Sequence, residues 1–261
     1  PSKKMTAQLG NGAAIAAETG IPVVSDLRSL DVALGGQGAP IVPVGDKLLF
    51  GDYRYCLNIG GIANISTVKN NEYISFDICP ANRVLNMLAE KMGKDYDEGG
   101  NIARNGSIAE PLLRQLNQLD YYANAYPKSL ANSYGTDIIM PLLEHSGHKT
   151  EDLLATYTEH IATQIQHAIE MTGAWQQEET QLLATGGGAL NVFLIERLQE
   201  KLSSQQIKVV VPEHSVTLYK EALIMALIGV LRWRDENNVL STVTGATRSS
   251  INGAVWMGAD A

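Results

Sequence analysis

Apolar and polar positions alternate in three short runs of residues 55–77, YCLNIG, IANISTVK and EYISFD. Period-two alternation over that length predicts strands. Paired glycines, Gly60 and Gly61, separate the first two runs. Asn70 and Asn71 separate the last two, and they predict a two-residue hairpin turn because asparagine tolerates positive φ. The period then changes to that of a helix in PANRVLNMLAEKMG, with Pro80 expected near its first turn and Gly93 as its stop. A long helix is predicted over 151–172: Leu154, Ile161, Ile165, Ala168 and Ile169 recur at helical spacing, acidic residues open it and Gly173 ends it. Next come TQLLAT as a strand, three glycines as a turn, NVFLIERLQEKL as a helix, IKVVVP as a strand and YKEALIMALIGVLRWR as a mostly apolar helix. The resulting order, βββαβαβα, predicts an α/β fold in which helices cover a mixed sheet.

Outside this block the pattern is looser. GNGAAIAAETG reads as a short helix stopped by Gly20, and IPVVSD as a strand. ALGGQGAPIVPV is dense in Gly and Pro and therefore irregular, which suits a hinge or a backbone surface facing a ligand. Residues 97–143 are polar and helical in patches, with DYYANAYPKS as a loop.

The chain has 261 residues, 45% hydrophobic and 18% charged, enough for a sizeable core in one large domain or two smaller ones. Its net charge of −8 and lack of a basic run argue against a general nucleic-acid binder, while leaving room for a local basic spot. Cys56 and Cys79 sit in apolar contexts and fit a reducing compartment as small hydrophobes. No signal peptide is visible and no apolar run approaches the roughly 20 residues of a spanning helix, so the expectation is a cytoplasmic protein with no membrane partner. The histidines form no metal-ligand pattern, and neither a GxSxG elbow, a GxGxxG fingerprint nor a GxxxxGK[ST] loop occurs.

Candidate chemistry gathers at six places. LNIGGIANIS leaves the backbone N–H groups of Gly60 and Gly61 unshielded, so a phosphate could approach, although an ordinary tight hairpin looks the same. LLATGGGALN sets Gly186, Gly187 and Gly188 between a strand and a helix, which suits either a flat or anionic ligand or close packing. In FDICPAN, Asp77 stands where a strand gives way to a helix, as a general base, a magnesium partner or merely a helix cap. Asp26, Arg28 and Asp31 cluster before the glycine-rich stretch, where Arg28 is suited to gripping an anion or to a surface ion pair. Glu221 is read as opening the last apolar helix. Tyr121, Tyr122 and Tyr126 beside Lys128 read as a sugar-stacking patch or a packed loop.

Taken together, TAQLG, VVSDLRSLDVALGGQGAPIVP, LNIGGIANIS, FDICPAN, PKS, ATGGGALN, KEALIMALIGVLRWR and STVTGATRSSINGAVW resemble the anhydro-N-acetylmuramic acid kinase family across essentially the whole chain. The resemblance implies the actin-like ATPase (ribonuclease H-like) fold. It implies a partial first domain at 1–48, rejoined by 243–261, and a complete nucleotide-binding domain at 49–242. It implies a cytoplasmic enzyme of cell-wall recycling that uses ATP and Mg2+ on 1,6-anhydro-N-acetylmuramic acid, with a homodimer compatible. A sugar kinase of other specificity and a nucleotide-driven switch protein remain the alternatives. By the same match Asp77 is the catalytic base, Arg28, Asp26, Gln37 and Glu221 face the sugar, and Gly60, Gly61, Asn64, Gly186, Gly187, Gly188 and Asn191 line the nucleotide. Departures accompany the match. DICPAN stands where the family commonly reads DTGPGN, Asn86 stands where an aspartate is common, and PKS continues as LANSYG without the basic residue and glutamate often found there. The family's glycine-rich GTSxDG loop is not in the sequence, so this chain alone is expected to be weakly active or inactive.

Overall fold

The computed structural model describes residues 9–173 and 179–259; residues 6–8 of the TAQLG stretch and the last two of the chain lie outside them. Along the chain run α1 (Gly12–Thr19), β1 (Val23–Ser25), α2 (Ser29–Ala33), α3 (Pro43–Leu49), β2 (Tyr55–Ile59), β3 (Ile62–Lys69), β4 (Glu72–Pro80), α4 (Asn82–Glu90) and α5 (Asn101–Arg104). There follow α6 (Glu110–Asn117), α7 (Asp120–Ala123), α8 (Met140–His145), α9 (Thr150–Thr172), β5 (Thr180–Thr185), α10 (Val192–Ser203), β6 (Ile207–Val210), α11 (His214–Trp233), α12 (Ser241–Thr244) and β7 (Ala254–Trp256). Two compact units result, one of Pro1–Gly51, Asn71–Ile74 and Glu221–Ala261, the other of Asp52–Asn70 and Ser75–Lys220.

The second unit carries a five-stranded sheet in the order β4-β3-β2-β5-β6. β2 runs antiparallel to β3 and parallel to β5, and β5 runs parallel to β6, so the sheet is mixed, as the element order predicts. Asn70 and Asn71 take φ of 49° and 64° between β3 and β4, the left-handed conformation that asparagine tolerates. β2 and β5 are buried almost throughout because helices cover both faces of a parallel pair. The longest helix, α9, packs on α4, α5, α6 and α10, and all five of its predicted apolar positions are buried.

α9 also carries polar ties. His160 Nδ1 donates to Asn117 Oδ1 at 2.6 Å and its Nε2 accepts from the Tyr122 hydroxyl at 3.0 Å. Gln164 donates to the same Asn117 oxygen, and the Tyr157 hydroxyl donates to Pro80 O at 2.9 Å. Glu159 pairs with Arg197 and Lys201 of α10. Burial works against its ionisation, and the two cations overcome that to hold its pKa below the ordinary value.

In the first unit β1 and β7 form a two-stranded antiparallel sheet. Ile41, Val44, Ile224, Ile228, Leu231 and Val239 make its core. Gly45 lets α3 approach α11, since a Cβ there would lie 2.4 Å from Ile224 Cγ1. Buried Asn238 and Asn252 bridge backbone to backbone, Asn238 Nδ2 donating to Asn252 O and Asn252 N to Asn238 Oδ1. Among the described residues only α11 has the length and composition of a membrane-spanning helix, which the sequence pattern did not suggest. Its Ile224, Ile228 and Leu231 are core residues of this unit.

Two boundaries differ from expectation. Pro80 ends β4 instead of entering the helix, because β4 runs nine residues, and α4 starts at Asn82. α11 starts at His214, so Glu221 lies two turns inside it and not at its N-terminus. There the favourable helix-dipole term for an acid no longer applies.

Burial lowers the pKa of His160 from 6.5 to about 3, so the unfolded chain binds a proton that the folded one excludes. This contribution to stability is complete above about 6.5 and is lost as pH falls toward 3. Urea unfolding across that range is expected to show His160→Gln losing less stability with acid than the unmodified protein does.

Candidate active site

Asp77 lies inside β4, not at a helix start. α4 has Ala81 as its N-cap and no side-chain cap bond, so Asp77 does not cap it. β4 is an edge strand, and the segment after α7 crosses that edge. Asp77 N donates to Lys128 O at 3.2 Å, and Leu130 N donates to Asp77 Oδ2 at 2.8 Å. The Tyr121 hydroxyl donates to Asp77 O at 2.7 Å. One carboxylate oxygen is thus held by a backbone N–H while Oδ1 has no hydrogen bond among the described residues. Burial raises the pKa of Asp77, with the Leu130 N–H partly opposing it. A half-buried carboxylate with one oxygen fixed and one bare is arranged to take a proton.

The tyrosines serve this segment and do not form an open stacking face. Tyr126 stacks on Phe76 with centroids 5.2 Å apart, and Lys69 lies over its ring. Lys128 lies 4.7 Å from the Tyr121 ring centroid, and Tyr122 is buried against His160. Burial lowers the Lys128 pKa and, with the nearby Asp77 charge adding to it, pushes the Tyr121 phenol up. In the altered FDICPAN stretch neither Cys79 nor Ala81 takes positive φ, and both are fully buried.

The two glycine turns differ physically. At Gly186 and Gly188 a Cβ would collide, 2.7 Å from Asn58 Oδ1 and 2.3 Å from Ile59 Cγ2. Packing against β2 explains both. At Gly60 and Gly61 a Cβ would meet nothing closer than 3.5 Å and 3.9 Å, and neither has positive φ. Nothing inside the fold asks for glycine at that turn. The turn is fixed to the start of α4 by Asn82 N to Gly60 O at 3.0 Å and Ala81 N to Gly61 O at 2.8 Å.

Gly187 and Gly188 line a cavity of about 420 Å³ with Asn82, Asn86, Leu190 and Asn191. Asn191 Oδ1 is also the N-cap of α10, accepting from Leu194 N. The fourth wall, Tyr96, Asp97, Glu98 and Gly99, is absent from the sequence-based candidates. Its signal was the DEGGN stretch. Gly99 and Gly100 take positive φ, Asp97 accepts from Ile102 N and Ala103 N to start α5, and a Cβ on Gly100 would lie 2.2 Å from Asn191 Oδ1. Asn64 is half-buried on β3 opposite Asn58 and lies outside the cavity lining.

In the first unit Asp31 is fully buried and organises the GGQG loop. Its Oδ2 accepts from Gly38 N at 2.8 Å and its Oδ1 from the Thr244 hydroxyl at 2.6 Å. Arg28 Nη1 donates to Gly38 O at 2.6 Å, and Gln37 is exposed with its N–H on Thr244 O. Asp26 is exposed at φ 54° and accepts from the Ser29 hydroxyl. Glu221 is exposed on α11. Arg28 at the start of α2 and Asp31 inside it therefore both tie down the loop that carries Gln37. Among the described residues no group of three or more His, Cys, Asp or Glu side chains could hold a metal ion.

A sequence model of the anhydro-N-acetylmuramic acid kinase family matches residues 1–258. A relative named anhydro-N-acetylmuramic acid kinase from Aliivibrio fischeri is 37% identical over 258 residues, covering 96% of this chain and 70% of the relative. One from Sulfurovum sp. is 35% identical, covering 96% of this chain and 69% of its own. Among solved structures, an activator of the 2-hydroxyisocaproyl-CoA dehydratase from Clostridium difficile with bound ADPNP is similar with a TM-score of 0.45 and 20% identity, over 72% of this chain and 63% of that one.

The contrast between the turns can be checked by unfolding. Gly60→Ala and Gly61→Ala are expected to change stability by less than about 1 kcal/mol. Gly188→Ala, forced against Ile59, is expected to lose about 1–3 kcal/mol.

Proposed function

The chain belongs to the anhydro-N-acetylmuramic acid kinase family, and we propose on that premise that it uses ATP and water to convert 1,6-anhydro-N-acetylmuramic acid into N-acetylmuramic acid 6-phosphate in cell-wall recycling. The observation that carries the reading at this site is Asp77, with Oδ2 fixed by Leu130 N and Oδ1 bare. Asp77 Oδ1 takes a proton from a water that attacks the anomeric carbon. The bond from that carbon to the bridging oxygen breaks, and this oxygen, still on carbon six, attacks the γ-phosphorus of ATP. The bond to the ADP oxygen breaks, and the proton leaves Asp77 for solvent. One base serves ring opening and phosphoryl transfer, with the rest of the rate coming from positioning and charge neutralisation.

The nucleotide is read as lying over the bare Gly60–Gly61 turn with its nucleoside in the cavity beside Gly187, Gly188 and Asn191. Asn64, on β3 just after that turn, is read as part of the same nucleotide-facing group. Arg28, Asp26, Gln37 and Glu221 are read as the sugar-facing group, with Asp31 bracing the loop that carries Gln37. Mg2+ bound to the ATP phosphates would offset their charge during transfer, and no protein residue is assigned to hold it. The enzyme is read as cytoplasmic and free of nucleic-acid partners, in keeping with its net charge of −8.

The test is to incubate the full-length protein with ATP and the anhydro sugar and follow the phosphosugar by mass spectrometry. Phosphosugar with matching ADP supports the reading; ATP hydrolysis indifferent to the sugar overturns it. Asp77→Asn is expected to lose at least about 10²–10⁴-fold in kcat. Because burial raises the Asp77 pKa, its ionised form costs stability, and that cost appears as pH rises through the folded pKa. Asp77→Asn is therefore expected to match or exceed the unmodified protein in Tm at neutral pH. The rate of the unmodified enzyme is expected to fall on its acid limb above the ordinary carboxylate range.

A further inference from the structure

Arg83 is the second residue of α4, in the first helical turn. A cation there is opposed by the helix dipole, which favours acids at this end, and α4 has no acid in its first turn to offset it. Nor does a carboxylate pair with Arg83 among the described residues; its one hydrogen bond is from Nη1 to the carbonyl of Asn132 at 2.6 Å. A guanidinium has five donors, and Arg83 is exposed, so most of its N–H groups face solvent and are open to an incoming anion. The other cations around this site are engaged with aromatic rings, Lys69 with Tyr126 and Lys128 with Tyr121.

The position of Arg83 gives the charge a use. Its Cβ lies 3.9 Å from where a Cβ on Gly61 would sit, so its stem borders the turn that the fold leaves bare. Asn132, which anchors it, lies two residues after Leu130, whose N–H holds the Asp77 carboxylate. Arg83 therefore spans from the phosphate-facing turn to the segment that sets the base. The group transferred must lie between those two places.

We propose that Arg83 grips the terminal phosphate of the bound nucleotide, the group that is transferred. The inference rests on the nucleotide reading of the Gly60–Gly61 turn and adds a phosphate-contacting residue that neither glycine motif supplies. The guanidinium fork suits two phosphate oxygens at once, and it neutralises charge that grows on them during transfer.

The test compares Arg83→Gln and Arg83→Lys with the unmodified protein for binding of ADP and of the imido analogue of ATP, and for turnover. Arg83→Gln is expected to weaken the imido analogue at least about tenfold and ADP hardly at all. Its kcat/KM for ATP is expected to fall about 10²–10³-fold, with Tm unchanged and partial recovery in Arg83→Lys. Equal weakening of both nucleotides, a fall in Tm that accounts for the loss, or a change confined to the KM of the sugar would overturn the proposal. An unmodified protein that binds neither nucleotide would overturn the kinase reading itself, and the role of Arg83 with it.

Discussion

The site depends on the bond from Leu130 N–H to the Asp77 carboxylate, made possible by a segment laid along an edge strand. An edge strand leaves backbone groups unpaired, and here the segment after α7 satisfies Asp77 N through Lys128 O. Fixing the strand this way also fixes the side chain, since only one of its oxygens is left free. Tyr121 clamps the same residue from its carbonyl side, and Lys128 covers the tyrosine ring. Beneath them Tyr157 holds Pro80 O, and the neutral His160 holds Tyr122. The long helix α9 thus braces the strand end that carries Asp77, the proposed base, with groups that do not ionise at neutral pH.

The glycines show two kinds of constraint in one family of motif. Gly186 and Gly188 are small because β2 is in the way, and of the two only Gly188 lines the cavity. Gly60 and Gly61 are small although nothing in the fold needs it, and glycine there costs unfolded-state entropy. In the proposed reading, a nucleotide that must touch the backbone accounts for that cost.

Much of this was legible in the sequence because alternation and helical spacing are strong signals. The three strands and the buried stripe of α9 follow from period, and the turn from asparagine's tolerance of positive φ. Boundaries were harder. Pro80 reads as a helix starter, yet a proline at a strand's last residue satisfies the same rule about its missing N–H, and the edge position of β4 allowed it. Glu221 reads as a helix start because charged residues precede the apolar run, while α11 begins seven residues earlier. Asp77 was visible as a candidate, but its cap reading could be dismissed only by the extension of β4 past it. The Tyr96–Gly99 wall was missed because its signal is a loop, where Asp97 and two left-handed glycines shape a surface without any hydrophobic period. Arg83 carries no sequence signal for a similar reason: a single arginine on a helix is ordinary until its neighbours are known.

The central claim is that one carboxylate directs water to the anomeric carbon while the bridging oxygen receives the phosphate. Turnover in ¹⁸O-labelled water, read early enough to precede anomeric exchange, tests it directly. The account requires one labelled oxygen at the anomeric carbon of the phosphosugar and none in its phosphate group. Label in the phosphate, or a phosphosugar formed with no label at all, would contradict it.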